Sequence, residues 1–231
     1  GVTLATPLAL AALGEVFAER SGSLNLGLEG IMLFSGFIGF NAAYHIGNLW
    51  IGILGAVMMG SIMGLLFAFM TITLQANQTV TGLAINFLGN GLAPYFYRLV
   101  FKVTLDTPRV EPFQNVPIPV LSDIPFIGDI LFNHSVFTYL MFLLVAVTFV
   151  IIYKTPFGLR LNAVGESPQT ADTLGVNVGR IRYICVVIGG ALAGMAGAFY
   201  SLVELGSYSD SMINGRGFIA SALVIFGRWD P

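Results

Sequence analysis

The chain has 231 residues, of which 56% are apolar and only 10% charged, with a formal net charge of −2 at pH 7 and a mean hydropathy of +0.84. Soluble domains average about 45–50% apolar and about 25% charged residues. Ten basic and 12 acidic side chains cannot cover a water-facing surface of this size, so an ordinary soluble enzyme is excluded and an integral membrane protein is expected. The slight excess of acid excludes nucleic acid as a partner, whose binders carry basic stripes that neutralise phosphate.

In chain order, residues 2–14 form an apolar run that gives way to Glu15, Glu19 and Arg20. Ser21-Gly-Ser-Leu-Asn-Leu-Gly-Leu-Glu-Gly30 then reads as a break before the next helix. A spanning helix needs about 20 mostly apolar residues, and five stretches qualify: 25–46, 49–74, 79–101, 135–153 and 183–204. Glycines crowd two of them, as Gly52, Gly55, Gly60 and Gly64, and as Gly189, Gly190, Gly194 and Gly197. In lipid such small residues read as helix-packing faces of a compact bundle, the alternative being scattered small residues with no seam. Cys185, alone in the last stretch, can form no intrachain disulfide and reads as a small core residue.

Between these spans, the connector 102–134 carries Pro108, Pro112, Pro117, Pro119 and Pro125, which forbid a continuous helix. An ordered loop is expected there, with a short interfacial element near 124–132. In 154–182 the basic residues Lys154, Arg160, Arg180 and Arg182 outnumber Glu166 and Asp172. Basic residues at helix ends mark the cytoplasmic side, which puts 154–182 and the turn 75–78 inside and the proline-rich loop outside. Within 154–182, Ser167 as N-cap, Pro168 in the first turn and Gly175 as terminator predict an exposed helix of about two turns, a docking knob for a partner. Finally, residues 215–227 offer about ten apolar positions closed by Gly227. Short, Gly-interrupted segments in two halves of a chain point to discontinuous helices meeting at a transporter's midplane; truncation alone would also explain the second. With Gly1 at one end and Phe226-Gly-Arg-Trp-Asp-Pro231 at the other, the chain is expected to be a piece of a longer protein, without a signal peptide's order of regions.

The chemistry-bearing motifs are mostly missing. No Gly-x4-Gly-Lys-Ser/Thr is present to hold ATP, no His-Glu-x-x-His, and no nucleophile elbow, so no catalytic residue, metal or cofactor is expected. His45 and His134 fall near loop edges and read as interfacial. Asn25, Glu29, Asn86, Asn90 and Glu204 fall within spans or at a break, where polar groups are costly unless paired or wetted. Asn86 and Asn90 are four apart and share a helical face, with Phe87 beside them. Two carboxamides and a ring suit a path for a polar, uncharged solute, with Asn25 and Glu29 at its break. The competing reading makes the asparagines hydrogen-bonded helix staples, and a structural role weighs more for Glu29 and Glu204.

The run Gly158-Leu-Arg through Ala163-Val-Gly-Glu-Ser-Pro to Thr170-Ala-Asp-Thr-Leu-Gly175 resembles the coupling loop of permease subunits of bacterial ABC importers. Thr6-Pro-Leu, Gly14-Glu-Val-Phe-Ala-Glu-Arg-Ser-Gly22, Asn25-Leu-Gly-Leu-Glu-Gly-Ile-Met32, Gly215-Arg-Gly-Phe-Ile-Ala and Phe226-Gly-Arg-Trp resemble the nucleoside and simple-sugar branch. The resemblance implies an all-α polytopic membrane bundle with discontinuous helices and a short cytoplasmic coupling helix, multi-pass in the bacterial plasma membrane and surrounded by lipid. It implies that a helix at about Gly165–Gly175 sits in a cleft of a separate ATPase subunit, with Gly158, Arg160, Gly165, Glu166, Ala171 and Gly175 in the coupling loop. ATP-driven closure would rock the permease halves, a second permease subunit, identical or homologous, would complete the path, and an extracytoplasmic binding protein would deliver the cargo. One departure is Thr170-Ala171, where a pair of alanines is usual. A rival outside this family is an ion-gradient-driven secondary transporter, which would need Glu29 or Glu204 as a coupling carboxylate; a third is a purely structural membrane subunit.

Overall fold

A backbone in lipid must satisfy its own polar groups, which leaves helices as the economical answer to long apolar runs. The computed structural model describes residues 2–102, 108–113, 116–117 and 133–231. Nine α-helices are described: α1 Val2–Arg20, α2 Leu28–Ile46, α3 Leu49–Ala68, α4 Gln78–Phe101, α5 Val136–Lys154, α6 Pro156–Glu166, α7 Pro168–Thr173, α8 Val178–Phe199 and α9 Arg216–Phe226. Single π-helical turns extend α3 over Phe69–Thr73 and α8 over Tyr200–Glu204. Val116–Pro117 pairs antiparallel with Asn133–His134. The interfacial element expected near 124–132, like most of the proline-rich loop, lies outside the described residues.

Several starts are written locally. Asn48, Asn77 and Asn177 each accept a hydrogen bond from a first-turn amide, of Trp50, Val80 and Arg180. Thr155 does the same for Gly158, followed by Pro156 at the first helical position. Two expectations change. Helix α1 does not break after residue 14 but runs on to Arg20, because Glu15 turns inward and is fully buried, its Oε1 accepting from the Asn25 amide at 2.9 Å. The basic connector holds two helices, since the eleven residues of α6 precede the short α7 that Ser167 and Pro168 open.

Helix α8 is the axis of the bundle, with α1, α2 and α3 packed around it. Small residues permit this. A Cβ on Gly60 would stand 2.2 Å from the Gly190 carbonyl oxygen, and one on Gly197 would stand 2.0 Å from that of Met32. The main core gathers Phe37, Phe40, Phe67 and Phe199 between these four helices. A second cluster, with Val16, Phe17, Ile152, Leu161, Val164, Ala171 and Ile181, sits at the end that carries Lys154, Arg160, Arg180 and Arg182, called here the basic end. It attaches α6 and α7 to the bundle.

Among the described residues, four helices are long and apolar enough to cross a membrane: Val2–Arg20, Leu49–Thr73, Val136–Lys154 and Val178–Glu204. Helices α2 and α4, with 19 and 24 residues, have the length. Their sequences are diluted by Glu29, Asn41 and His45 in α2 and by Asn86, Asn90 and Arg98 in α4. For α2 the reason is position, since twelve of its residues, including Phe37 and Phe40, are buried in protein and need not match lipid.

Candidate functional site

Two irregular segments enter the bundle, and side chains from the neighbouring helices take up backbone groups of the first at several points and of the second at Gly215. The first is 21–27, between α1 and α2. The Arg182 guanidinium donates to the Ser21 carbonyl at 3.0 Å, the Gln78 amide reaches the Gly22 carbonyl at 3.2 Å, and its Oε1 accepts from Leu24 N–H at 2.9 Å. Glu15 then takes the Asn25 amide, and Asn25 Oδ1 accepts from Gly27 N–H at 2.9 Å, which turns the chain into α2. Non-helical backbone at membrane depth is tolerated where protein supplies such partners. The second is 205–215, which returns from the far end of α8 to the start of α9 and turns with Gly206 at φ +60° and Gly215 at φ +83°.

The two segments meet. Glu29, in the first turn of α2 and half-buried, accepts from the Gly215 amide at 2.8 Å, while its other oxygen is buried without a partner among the described residues. Its carboxylate thereby lies at the N-terminus of α9, where exposed N–H groups and the helix dipole favour negative charge. A Cβ on Gly217 would stand 2.5 Å from the Glu29 nitrogen, so α9 rests on the start of α2. On the other side of α2, a Cβ on Gly30 would stand 2.6 Å from the Cα of Asn86, and one on Gly89 would stand 2.1 Å from the Gly30 oxygen, which brings α4 equally close. The Arg216 guanidinium stacks 4.7 Å from the Tyr200 ring centroid, on the π-turn that ends α8. This junction of α2, α4 and α9 is the candidate site.

Of the residues expected to form a substrate path, Asn25, Glu29 and Asn86 belong to this junction or to its approach, and Asn25 and Asn86 are buried. Asn90 is exposed and donates to Asn86 Oδ1 at 2.7 Å and to the Asn86 carbonyl at 2.9 Å, a bond within α4. Phe87 is 75% exposed on the side of α4 away from the junction. Asn90 also lines an open groove of about 430 Å³ with Gly91, Pro94, Tyr95, Arg98 and Leu99. Glu204 is exposed at the end of the π-turn.

At the basic end, Gly158 is buried where a Cβ would stand 2.1 Å from the Ile152 oxygen, so α6 folds back on the end of α5. A Cβ on Gly165 would stand 2.0 Å from the Arg20 oxygen, and Ala171 is buried in the second cluster. Arg160 and Glu166 are exposed, and Gly175, at φ +82° with open space around it, ends α7. Two residues that sequence reasoning passed over stand out here: Leu159 on α6 is 74% exposed and Leu174, directly after α7, is 78% exposed. An apolar side chain on a charged connector was the available signal.

All 231 residues match a family profile described as the permease component of the branched-chain amino acid transport system. The chain belongs to this permease family. A guanosine ABC transporter permease protein of Bacillus subtilis, NupQ, is 40% identical over 98% of the chain and 73% of its own length. A nucleoside ABC transporter permease protein of Lactococcus lactis, NupC, is 38% identical over 98% of the chain and 73% of its own length. A glucose ABC transporter permease protein of Haloferax volcanii, TsgB13, is 24% identical over 97% of the chain and 62% of its own length. No solved structure matches. The permease is therefore a multi-pass inner-membrane subunit of an ABC-type importer and not itself an enzyme, which sets aside an ion-gradient transporter. Its junction joins two irregular segments to three helices, with no cluster of metal-ligating side chains among the described residues.

Proposed function

We propose that this permease forms the path for nucleosides or related sugar-containing solutes, driven by a separate ATPase that docks on α6 and α7 at the cytoplasmic, basic end. The similarity to a guanosine permease over 98% of the chain carries this reading. Asn25, Glu29, Asn86, Phe87 and Asn90 serve the path. Asn90 lines the 430 Å³ groove and Phe87 is exposed on the outward side of α4, so a path that uses them runs along this subunit's flank. A second permease subunit closes it there. Carboxamides match the donors and acceptors of a nucleobase or ribose, and Tyr95 and Phe87 offer rings to a planar base.

The six coupling residues divide by role. Gly158, Gly165 and Ala171 hold α6 and α7 against the bundle, while Arg160, Glu166 and Gly175, with Leu159 and Leu174, face the ATPase. An extracytoplasmic binding protein delivers cargo at the opposite end. The experiment is uptake of radiolabelled guanosine, ribose and glucose in cells carrying the full permease with its neighbouring ATPase and binding-protein genes, with and without ATP depletion. ATP-dependent guanosine uptake that unlabelled nucleosides compete for is expected; uptake of glucose alone overturns the cargo assignment.

A further inference from the structure

Arg20 ends α1 at the basic end, and its guanidinium gathers four acceptors from three separate parts of the chain. Its Nε donates to the Trp229 carbonyl at 2.8 Å, Nη1 to Asn162 Oδ1 on α6 at 3.2 Å, and Nη2 to the Tyr153 hydroxyl on α5 at 2.6 Å and to Asp230 at 3.0 Å. The Tyr153 hydroxyl itself donates to Asp230, and the Arg20 guanidinium lies 5.0 Å from the Tyr153 ring centroid. The Arg20 carbonyl is the atom on which Gly165 of α6 rests. Glu19, the preceding residue, accepts from the Trp229 indole. A planar fork with fixed donor directions is the side chain suited to holding several segments in one mutual arrangement. An exposed ion pair alone contributes little, so the number of segments joined is the point, and the Arg20 side chain is only 14% exposed.

The segment it grips is conformationally unusual. Arg228 and Trp229 have φ of +54° and +59°, the left-handed region that bulky side chains avoid. Such backbone persists where surroundings over-determine it, and it gathers at switch regions. Both residues follow α9 just after its C-cap Gly227, and the other end of α9 rests on Glu29. Eleven residues at 1.5 Å rise make α9 a rod of about 16 Å between the Arg20 cluster and the α2 junction.

We propose that Arg20 is the positioning residue that transmits movement of the α6–α7 pair to α9 and, along it, to the Glu29 junction. The proposal rests on the ATPase docking on α6 and α7. When that pair is displaced, Asn162 and Gly165 carry Arg20 with them, Arg20 carries the Trp229–Asp230 turn, and the N-terminus of α9 shifts against the Glu29 carboxylate. Arg216, the first residue of α9, also lies over the Tyr200 ring on the π-turn that ends α8, which gives α9 a second seat.

The test uses the complete transporter, reconstituted with its ATPase and binding protein, and reads cargo moved per ATP hydrolysed. Arg20→Gln and, independently, Asn162→Ala combined with Asp230→Asn are compared with the native complex for subunit stoichiometry, thermal stability and this ratio. Coupling mutations act over a range that corresponds to roughly 2- to 30-fold, so the ratio is expected to fall within it while stoichiometry stays native, and Arg20→Lys, which keeps charge but not the fork, is expected to remain low. A native ratio in Arg20→Gln, or in the paired variant should Arg20→Gln not assemble, overturns the proposal. So does a loss of uptake and hydrolysis in proportion to lost ATPase, which marks a merely structural residue. Native transporter that shows no ATP-dependent uptake overturns the functional reading itself, whatever Arg20 does.

Discussion

Helices α5 and α8 are both long apolar spans, yet only 28% of the apolar stretch of α5 is buried inside the protein, against 72% of that of α8. Helix α5 has no glycine and is built of Leu, Phe, Val and Ile, whereas α8 carries Gly189, Gly190, Gly194 and Gly197. Lipid tails are as apolar as leucine, so burying a leucine between helices gains little over leaving it in the bilayer. What selects the central helix is close backbone approach, and that requires the absence of side chains. The most apolar span is therefore peripheral and the glycine-rich one is the axis.

The sharpest way to break this contrast is to place a valine in the glycine seam and another on the exposed side of α5. Gly60→Val puts its first carbon 2.2 Å from the Gly190 oxygen with backbone on both sides, so α3 and α8 must separate. Loss of folded protein is expected, read as recovery of a monodisperse detergent-solubilised species. Ala146→Val on the exposed side of α5 is expected to leave recovery unchanged. Equal recovery of the two variants would show that the seam yields and that glycine does not decide the centre.

The next effect concerns the irregular segments that the seam surrounds. Glu15→Leu removes the acceptor of the Asn25 amide and leaves that N–H buried. The cost is about 1–3 kcal/mol, visible as a lower thermal unfolding temperature, and Glu15→Gln, which keeps an acceptor oxygen, should recover most of it. Full stability of Glu15→Leu would mean that another group or a water takes the amide.

How much of this was readable beforehand follows the same division. Lipid-facing spans advertise themselves by composition, and the start of α7 by Ser167-Pro168. Helix α6 is not legible in the sequence although Thr155-Pro156 opens it in the same way, because eleven amphipathic residues with glycine at 158 and 165 resemble a loop in hydropathy. The extent of α1 was hidden because Glu15 and Asn25 lie ten residues apart across a turn, and a carboxylate in an apolar run reads as an end until its partner is known. The Arg20 cluster joins residues separated by more than 200 positions through Trp229 and Asp230. No local pattern carries that.

At the basic end the contrast becomes one between residues that attach α6 and α7 and residues that face outward. Leu159→Asp with Leu174→Asp changes two side chains already in solvent, so bundle stability should stay within about 0.5 kcal/mol of native, while co-purification of the ATPase should be lost. Ala171→Leu, directed into the second cluster, should do the reverse and lower stability first. Native ATPase recovery with the double aspartate variant would move the docking surface elsewhere.

The smallest effect is expected on α4, the helix that leans on α2 through Gly30 and Gly89 and leaves its other side open. Asn90→Leu removes two donors whose acceptors lie one turn earlier in the same helix, so no interhelical bond is lost and folding should be indifferent. If the amide contributes to the path, the concentration of nucleoside giving half-maximal uptake should rise several-fold, since a neutral hydrogen bond contributes about 0.5–1.5 kcal/mol. Asn86→Leu at the α2 contact is expected to lower stability as well as uptake, because its backbone abuts Gly30 and the bulkier methyl groups must fit in the same buried space. Unchanged uptake in Asn90→Leu together with lower stability would assign the pair to holding α4 in shape, and would leave Glu29, at the meeting point of α2 and α9, as the polar side chain of the junction to test next.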